Sequence, residues 1–200
     1  AHRERRLPMK AARRLGGFFP YALGIVLVAG VVHIVSVLAM PALAPRDAYA
    51  RFGEWAPVNE LAPAPESARD GAAPAPFNDP AMLIAACRFD LSGGPVRVAA
   101  TVDREHFLSM SFQGRTGRIF HSLTDRGALR DRIDVLLLRQ QDVEAVEDAE
   151  SEDEAHQTLR LVAPTTTGLV IVRSLAESPQ DRDAARARLR NVRCAVEPPA

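Results

Sequence analysis

Net charge is the first thing this chain of 200 residues lacks: 25 basic and 25 acidic side chains cancel, so no bulk field recruits nucleic acid. Catalytic signatures are missing as well. There is no HExxH, no GxSxG, no P-loop and no DxDxDG calcium loop, which leaves the zinc, serine-hydrolase, nucleotide and calcium chemistries without a motif. The stretch Gly114-Arg115-Thr116-Gly117-Arg118 has the composition of a phosphate cradle but lies between two strand patterns rather than ahead of a helix, and reads as a turn. Cysteine is scarce, with only Cys87 and Cys194, and no CxxC pair offers a zinc ribbon or a thioredoxin-type redox site. Between Phe18 and Met40 formal charge is absent altogether.

That uncharged run is longer than the roughly 7–15 apolar residues of a signal-peptide core and matches the roughly 20 needed to cross about 30 Å of hydrocarbon. It predicts a transmembrane helix over residues 18–40, with Pro20 in its first turn and Pro41 at its stop. Ahead of it, AHRERRLPMKAARR sets Arg3, Arg5, Arg6, Lys10, Arg13 and Arg14 against the single acid Glu4. Basic flanks stay cytoplasmic, so residues 1–17 are expected inside a bacterial cell, the span in its inner membrane and the remainder in the periplasm. The competing reading is a cleaved export signal, because Ala42-Leu43-Ala44 is small-x-small; Pro45 after that cut makes it a poor substrate.

One imidazole, His33, interrupts the run LVAGVVHIVSVLAMP. Its helical face continues through Ala29, Gly30 and Ser36, small or polar residues a turn apart, the pattern by which membrane helices approach one another closely. Packing against a partner helix is therefore the leading expectation. A lone side chain tilting toward the interface and a proton relay are the alternatives.

Residues 41–56 place Tyr49, Phe52 and Trp55 among arginines just past the span, which predicts a short helix at the headgroup level, the alternative being that these aromatics pack on the folded domain. Residues 57–79 are rich in proline and alanine and read as a linker. From residue 80 to 200 a folded domain is expected. Asp79-Pro80 ahead of AMLIAAC resembles a capped short helix. RFDLSGGPVRVAATV predicts a hairpin about Ser92-Gly93-Gly94-Pro95, and HFLSMSFQ with RIFHSL predicts a second one. IDVLLLRQ, TLRLVA and GLVIVRSL supply three further strands. The stretch DVEAVEDAESEDEA holds eight acids from Asp142 to Glu154 and no base, and reads as a short polar helix or a solvated loop. SPQDRDAARARLRNVRC opens a last helix, on which Arg182, Arg186 and Arg190 share one face suited to anionic headgroups or to the acidic stretch. In an oxidising compartment Cys87 and Cys194 are expected to pair, with two separately buried thiols as the alternative. The fold class is α+β: one transmembrane helix, then an antiparallel β-rich domain with two or three short helices.

Taken together, HIVSVLAMP, CRFDLSGGPVRV, FLSMSFQGRTGRIFHSLTDR and PTTTGLVIVRSLAES resemble the small membrane-anchored members of the bacterial family catalogued as domain of unknown function 1254. The resemblance implies a jelly-roll-like extracytoplasmic domain, accompanied in many cases by a relative from a sister family numbered 1214, and it implies no activity. The functional expectation is a non-enzymatic envelope component or accessory subunit in contact with lipid and a membrane partner, without cofactor, metal or nucleic acid. The alternative is an envelope enzyme acting on glycan or lipid, which requires His106 and His121 to converge with Asp103 or Asp125 in one cleft.

Overall fold

The computed structural model of the protein describes residues 9–43, 48–65, 79–103, 105–149 and 157–197. They belong to two units, one holding the N-terminal helix and one holding everything from Arg46 onward.

The first unit is a single helix, α1 (Met9–Leu43). Within it Phe19–Met40 is long and apolar enough to cross a membrane, 22 residues or about 33 Å at 1.5 Å each. The helix starts at Met9 rather than at Phe18, so Pro20 is interior instead of first-turn, and Pro41 falls in the last turn rather than beyond it. Ala, Arg, Lys and Leu upstream are strong helix formers, and their summed preference outweighs the one backbone hydrogen bond that Pro20 removes.

The second unit is a sandwich. One sheet has the order β1 (Ala62–Pro63), β2 (Met82–Asp90), β8 (Thr167–Leu175), β4 (Leu108–Gly114), β5 (Ile119–Thr124); the other runs β7 (Leu159–Val162), β6 (Arg132–Leu138), β3 (Val96–Thr101), β9 (Arg193–Val196). Neighbours are antiparallel except β6 and β7. Alternate residues point inward, as the two-residue period of a strand requires. Cys87 and Phe89 of β2, Met110 and Phe112 of β4, and Val170 and Val172 of β8 meet Val96 and Val98 of β3 with Val135 and Leu137 of β6 in one buried cluster. Three short helices complete the described domain: α2 (Ala48–Gly53), α3 (Val143–Ala149) and α4 (Arg182–Arg190). From α4, Leu189 inserts into the core. The class is α+β: the chain crosses from one sheet to the other after β2, β3, β5, β7 and β8, while β1–β2, β4–β5 and β6–β7 each stay within one sheet.

Four local expectations change. AMLIAAC is the body of strand β2, not a helix: the alanines favour a helix, but only an extended chain alternates Ala85, Cys87 and Phe89 into the core. Asp79 still accepts the Ala81 N–H, at 2.8 Å, in a turn. Ser92-Gly93-Gly94-Pro95 carries the chain from one sheet to the other instead of closing a hairpin, since β2 pairs with β8 while β3 pairs with β6 and β9. After α4 the chain forms β9, unforeseen because four residues hold too little pattern to read. Finally, the expected linker is not one in its first part. Residues 57–64 run along the free edge of β2: the Arg88 N–H donates to the Pro57 carbonyl (3.2 Å), Asn59 N–H to Arg88 (2.8 Å) and Ala64 N–H to Ile84 (2.8 Å). A proline-rich segment that cannot fold alone can still cover an existing edge, where a missing N–H interrupts nothing. The rest of that expected linker, 66–78, lies outside the described residues.

Candidate functional site

On α1 the face expected to meet a partner runs through Ala29, Gly30, His33 and Ser36, and all four are exposed along the helix. A side-chain carbon built on Gly30 would meet nothing within 4 Å. The face is narrow and small, with one imidazole as its polar group.

The aromatics that follow α1 pack on the domain, the alternative arrangement. α2 lays Tyr49 and Phe52 over Ile84, Leu169 and Ile171 on the outer face of the five-stranded sheet. Trp55 leans on Phe52, ring centroids 5.4 Å apart, and its indole N–H is buried with no hydrogen-bond partner among the described residues. A tryptophan serving a membrane interface keeps that N–H wet. Arginines close over the strap. The Arg115 guanidinium lies 4.3 Å from the Tyr49 ring centroid and that of Arg88 5.8 Å, within cation–π range, while Arg88 Nε donates to the Ala56 carbonyl at 2.8 Å. Neither arginine stands out in the sequence, because each owes its role to where the sheet puts it.

Cys87 and Cys194 are bridged, Cα atoms 6.5 Å apart. The bridge joins β2 of one sheet to β9 of the other.

The histidines do not converge. His106 Nδ1 lies 2.8 Å from Asp103 Oδ2 in the turn before β4. His121 is registered opposite Phe112, ring centroids 6.3 Å apart. Six positions along β4 separate those two levels, about 20 Å at strand rise. Asp125 is buried and takes the Leu108 N–H (3.4 Å). The expected enzymatic cleft therefore lacks its geometry. Asp103 is held below the usual carboxylate range, first by the Glu105 N–H (2.9 Å) and then by the His106 ring, which is the mark of a turn-stabilising acid. Among the described residues no three His, Cys, Asp or Glu side chains gather as a metal site.

Two further electrostatic groups stand out. Arg97, on the outer face of the four-stranded sheet, meets Glu197 at 2.8 Å and Asp134 at 3.3 Å, and Arg132 meets the same Asp134 at 3.2 Å. Burial works to lower the Arg97 pKa, but the two carboxylates outweigh it and the net shift is upward. At the head of the acidic stretch, Asp142 is held down by its hydrogen bond from Arg139 (2.7 Å). On α4, Arg182 donates to the Pro80 carbonyl (2.6 Å), Arg188 to the Ser174 hydroxyl (3.1 Å) and the Leu175 carbonyl (2.9 Å), and Arg186 to Asp183 (2.9 Å). Of the expected basic face, Arg182 is thus tied to the rest of the domain and Arg186 to its own helix.

Comparison with known proteins adds a family and a fold. A family model described as a protein of unknown function (DUF1254) matches residues 58–196, starting where the chain joins the edge of β2. No curated protein matches. Among solved structures, the VPA0106 protein from Vibrio parahaemolyticus superposes with a TM-score of 0.53 at 14% identity, over 74% of this chain and 34% of that one. An uncharacterized protein from Burkholderia cenocepacia aligns with a TM-score of 0.41 at 15% identity, over 61% and 33%. The chain thus spans about a third of the length of the structures it matches, and the first of them shares its fold.

Proposed function

We propose, on the premise that this chain belongs to the DUF1254 family, that it is a single-pass inner-membrane protein which holds a β-sandwich in the periplasm and joins a membrane partner through its span, carrying no reaction of its own. The observation that supports this reading is the helix Phe19–Met40, uncharged, predominantly apolar and with none of it buried: in water that surface would aggregate, and in hydrocarbon it is satisfied. The basic flank favours an inside N-terminus. The Cys87–Cys194 bridge accords with an oxidising compartment. The partner meets Ala29, Gly30, His33 and Ser36, where small residues let backbones approach and the imidazole finds a hydrogen-bond acceptor or donor. A sister-family protein is one such partner.

Both native cysteines are bridged, so Gln140→Cys, at an exposed position, introduces a unique thiol. A membrane-impermeant maleimide is expected to label it in spheroplasts, with the intact N-terminus still present by mass spectrometry. Labelling only after lysis would overturn the topology, and loss of residues before Pro45 would replace the anchor with a cleaved signal. For the partner, His33→Leu should leave insertion intact and weaken co-purification from mild detergent; unchanged recovery would remove the span as the contact.

A further inference from the structure

The outer face of the four-stranded sheet carries a shallow, arginine-lined groove. One depression, of about 290 Å³, is lined by Arg97, Arg130, Arg132, Asp134, Gln157 and Thr158, with Leu129. A second, of about 270 Å³, is lined by Ala99, Thr101, Arg132, Asn191 and Arg193, with Ala100. Arg132 lines both, so the two adjoin. Strand register explains the shape. Asp134, Ala99 and Arg193 lie in one row across β6, β3 and β9, and Arg132 and Thr101 in the next. Small residues form the floor and charged ones the rim. Among the described residues four guanidinium groups, of Arg97, Arg130, Arg132 and Arg193, stand beside three acids, Asp131, Asp134 and Glu197; Glu197 pairs with Arg97, and Asp134 is shared between Arg97 and Arg132.

The turn beside the groove is built against its own preference. Leu129 and Arg132 exchange N–H···O bonds of 2.9 and 3.0 Å around Arg130 and Asp131, whose φ angles are +51° and +59°. A two-residue turn with both residues left-handed favours Asn-Gly, and arginine is poorly suited to it. The fold alone gives no reason for a cation at that tip.

We infer that this groove binds an acidic oligosaccharide, with Arg130 and Arg132 at one end and Arg193 at the other taking its carboxylates. Those ends are two strands apart, about 10 Å, which suits anionic groups repeated along a sugar chain. Gln157, Thr158, Asn191 and Thr101 stand among the arginines as neutral hydrogen-bonding groups for hydroxyls. The lining holds no aromatic ring, so it lacks the stacking platform that single-stranded nucleic acid uses, and Leu129 is too little apolar surface to enter a bilayer. The inference stands independently of the membrane topology proposed above.

Titration calorimetry of the full chain in detergent micelles tests it, with tetragalacturonate as the probe and cellotetraose as the uncharged control. Tetragalacturonate is expected to bind, more weakly as salt rises, and cellotetraose not to bind. Arg130→Asn and Arg193→Gln should each weaken binding at least about tenfold, the loss of one charge-assisted contact. Arg130→Asn relieves the turn, so it should melt no lower than the parent, and its loss of binding cannot be unfolding. Absence of tetragalacturonate binding, equal binding of both tetrasaccharides, or undiminished binding by the two variants would overturn the inference. So would binding to phosphatidylglycerol vesicles, assayed by flotation of the full chain from detergent, that is lost with these arginines while tetragalacturonate is ignored.

Discussion

The two outer faces of the sandwich have opposite fates. On the five-stranded sheet, Ile84, Leu169 and Ile171 are buried beneath Tyr49 and Phe52, because an apolar outer face exposed to water costs about 25 cal/mol per Å² and the chain supplies a cover. On the four-stranded sheet, Arg97, Arg132 and Asp134 satisfy one another across β3 and β6 and need no cover. An apolar face thus recruits part of its own chain, while a charged one is satisfied by ion pairs within it. Even within the second sheet the rule holds: Leu136 and Leu138 alternate away from the central core, yet both are buried.

The comparison can be broken first at the covalent link between the sheets. Cys87→Ser with Cys194→Ser frees a loop of sequence separation 107, which loop-entropy arithmetic puts at about 4–5 kcal/mol; urea unfolding of the double variant should show a loss of that order, and a loss below about 1 kcal/mol would mean that burial alone holds the faces together. Next comes the covered face. Ile171→Ala should cost about 2–4 kcal/mol in the same assay, with the strap Ala48–Trp55 becoming more susceptible to limited proteolysis. On the open face the effects are smaller. Arg97→Met leaves Asp134 and Glu197 short of a partner at partly exposed sites, so about 1 kcal/mol is expected, and a loss as large as that of Ile171→Ala would refute the contrast. Replacing Arg130-Asp131 with Asn-Gly should raise stability by about 1 kcal/mol, because the turn no longer works against its backbone.

The smallest effect is one of pH. The Asp103 carboxyl is depressed in the folded chain by the Glu105 N–H and the His106 ring, and Asp90 likewise by the Ser92 hydroxyl and N–H. A folded value below the unfolded one means a contribution fully present above the ordinary carboxylate pKa of about 3.9 and lost as pH falls through the depressed value. Melting temperature measured downward from pH 6 should therefore fall less steeply in Asp103→Asn than in the parent, and identical slopes would show that the turn adds nothing.

Legibility followed the range over which each feature is encoded. The apolar helix, the β4–β5 hairpin, the continuous run of β6 and the paired cysteines were all readable, since length, alternation and count are local or global properties of a string. The strand AMLIAAC was misread because alanine favours helix until a core demands Cys87 and Phe89 on one side. Nothing in PRDAYARFGEW announces that Ile84, Leu169 and Ile171, far along the chain, offer Tyr49 and Phe52 an apolar seat.

The sequence by itself determined the local character of each segment: a long apolar run makes a helix able to cross a membrane, alternating runs make half-buried strands, and two lone cysteines outside that helix can pair, because hydrophobic period and composition act residue by residue. Tertiary structure alone decided which strands became neighbours, that residues 57–64 close a sheet edge, that Arg88 and Arg115 clasp Tyr49 and that Arg97, Arg130, Arg132 and Arg193 border two adjoining depressions. Those outcomes depend on register between segments distant in the chain, and register is fixed only when both partners are folded.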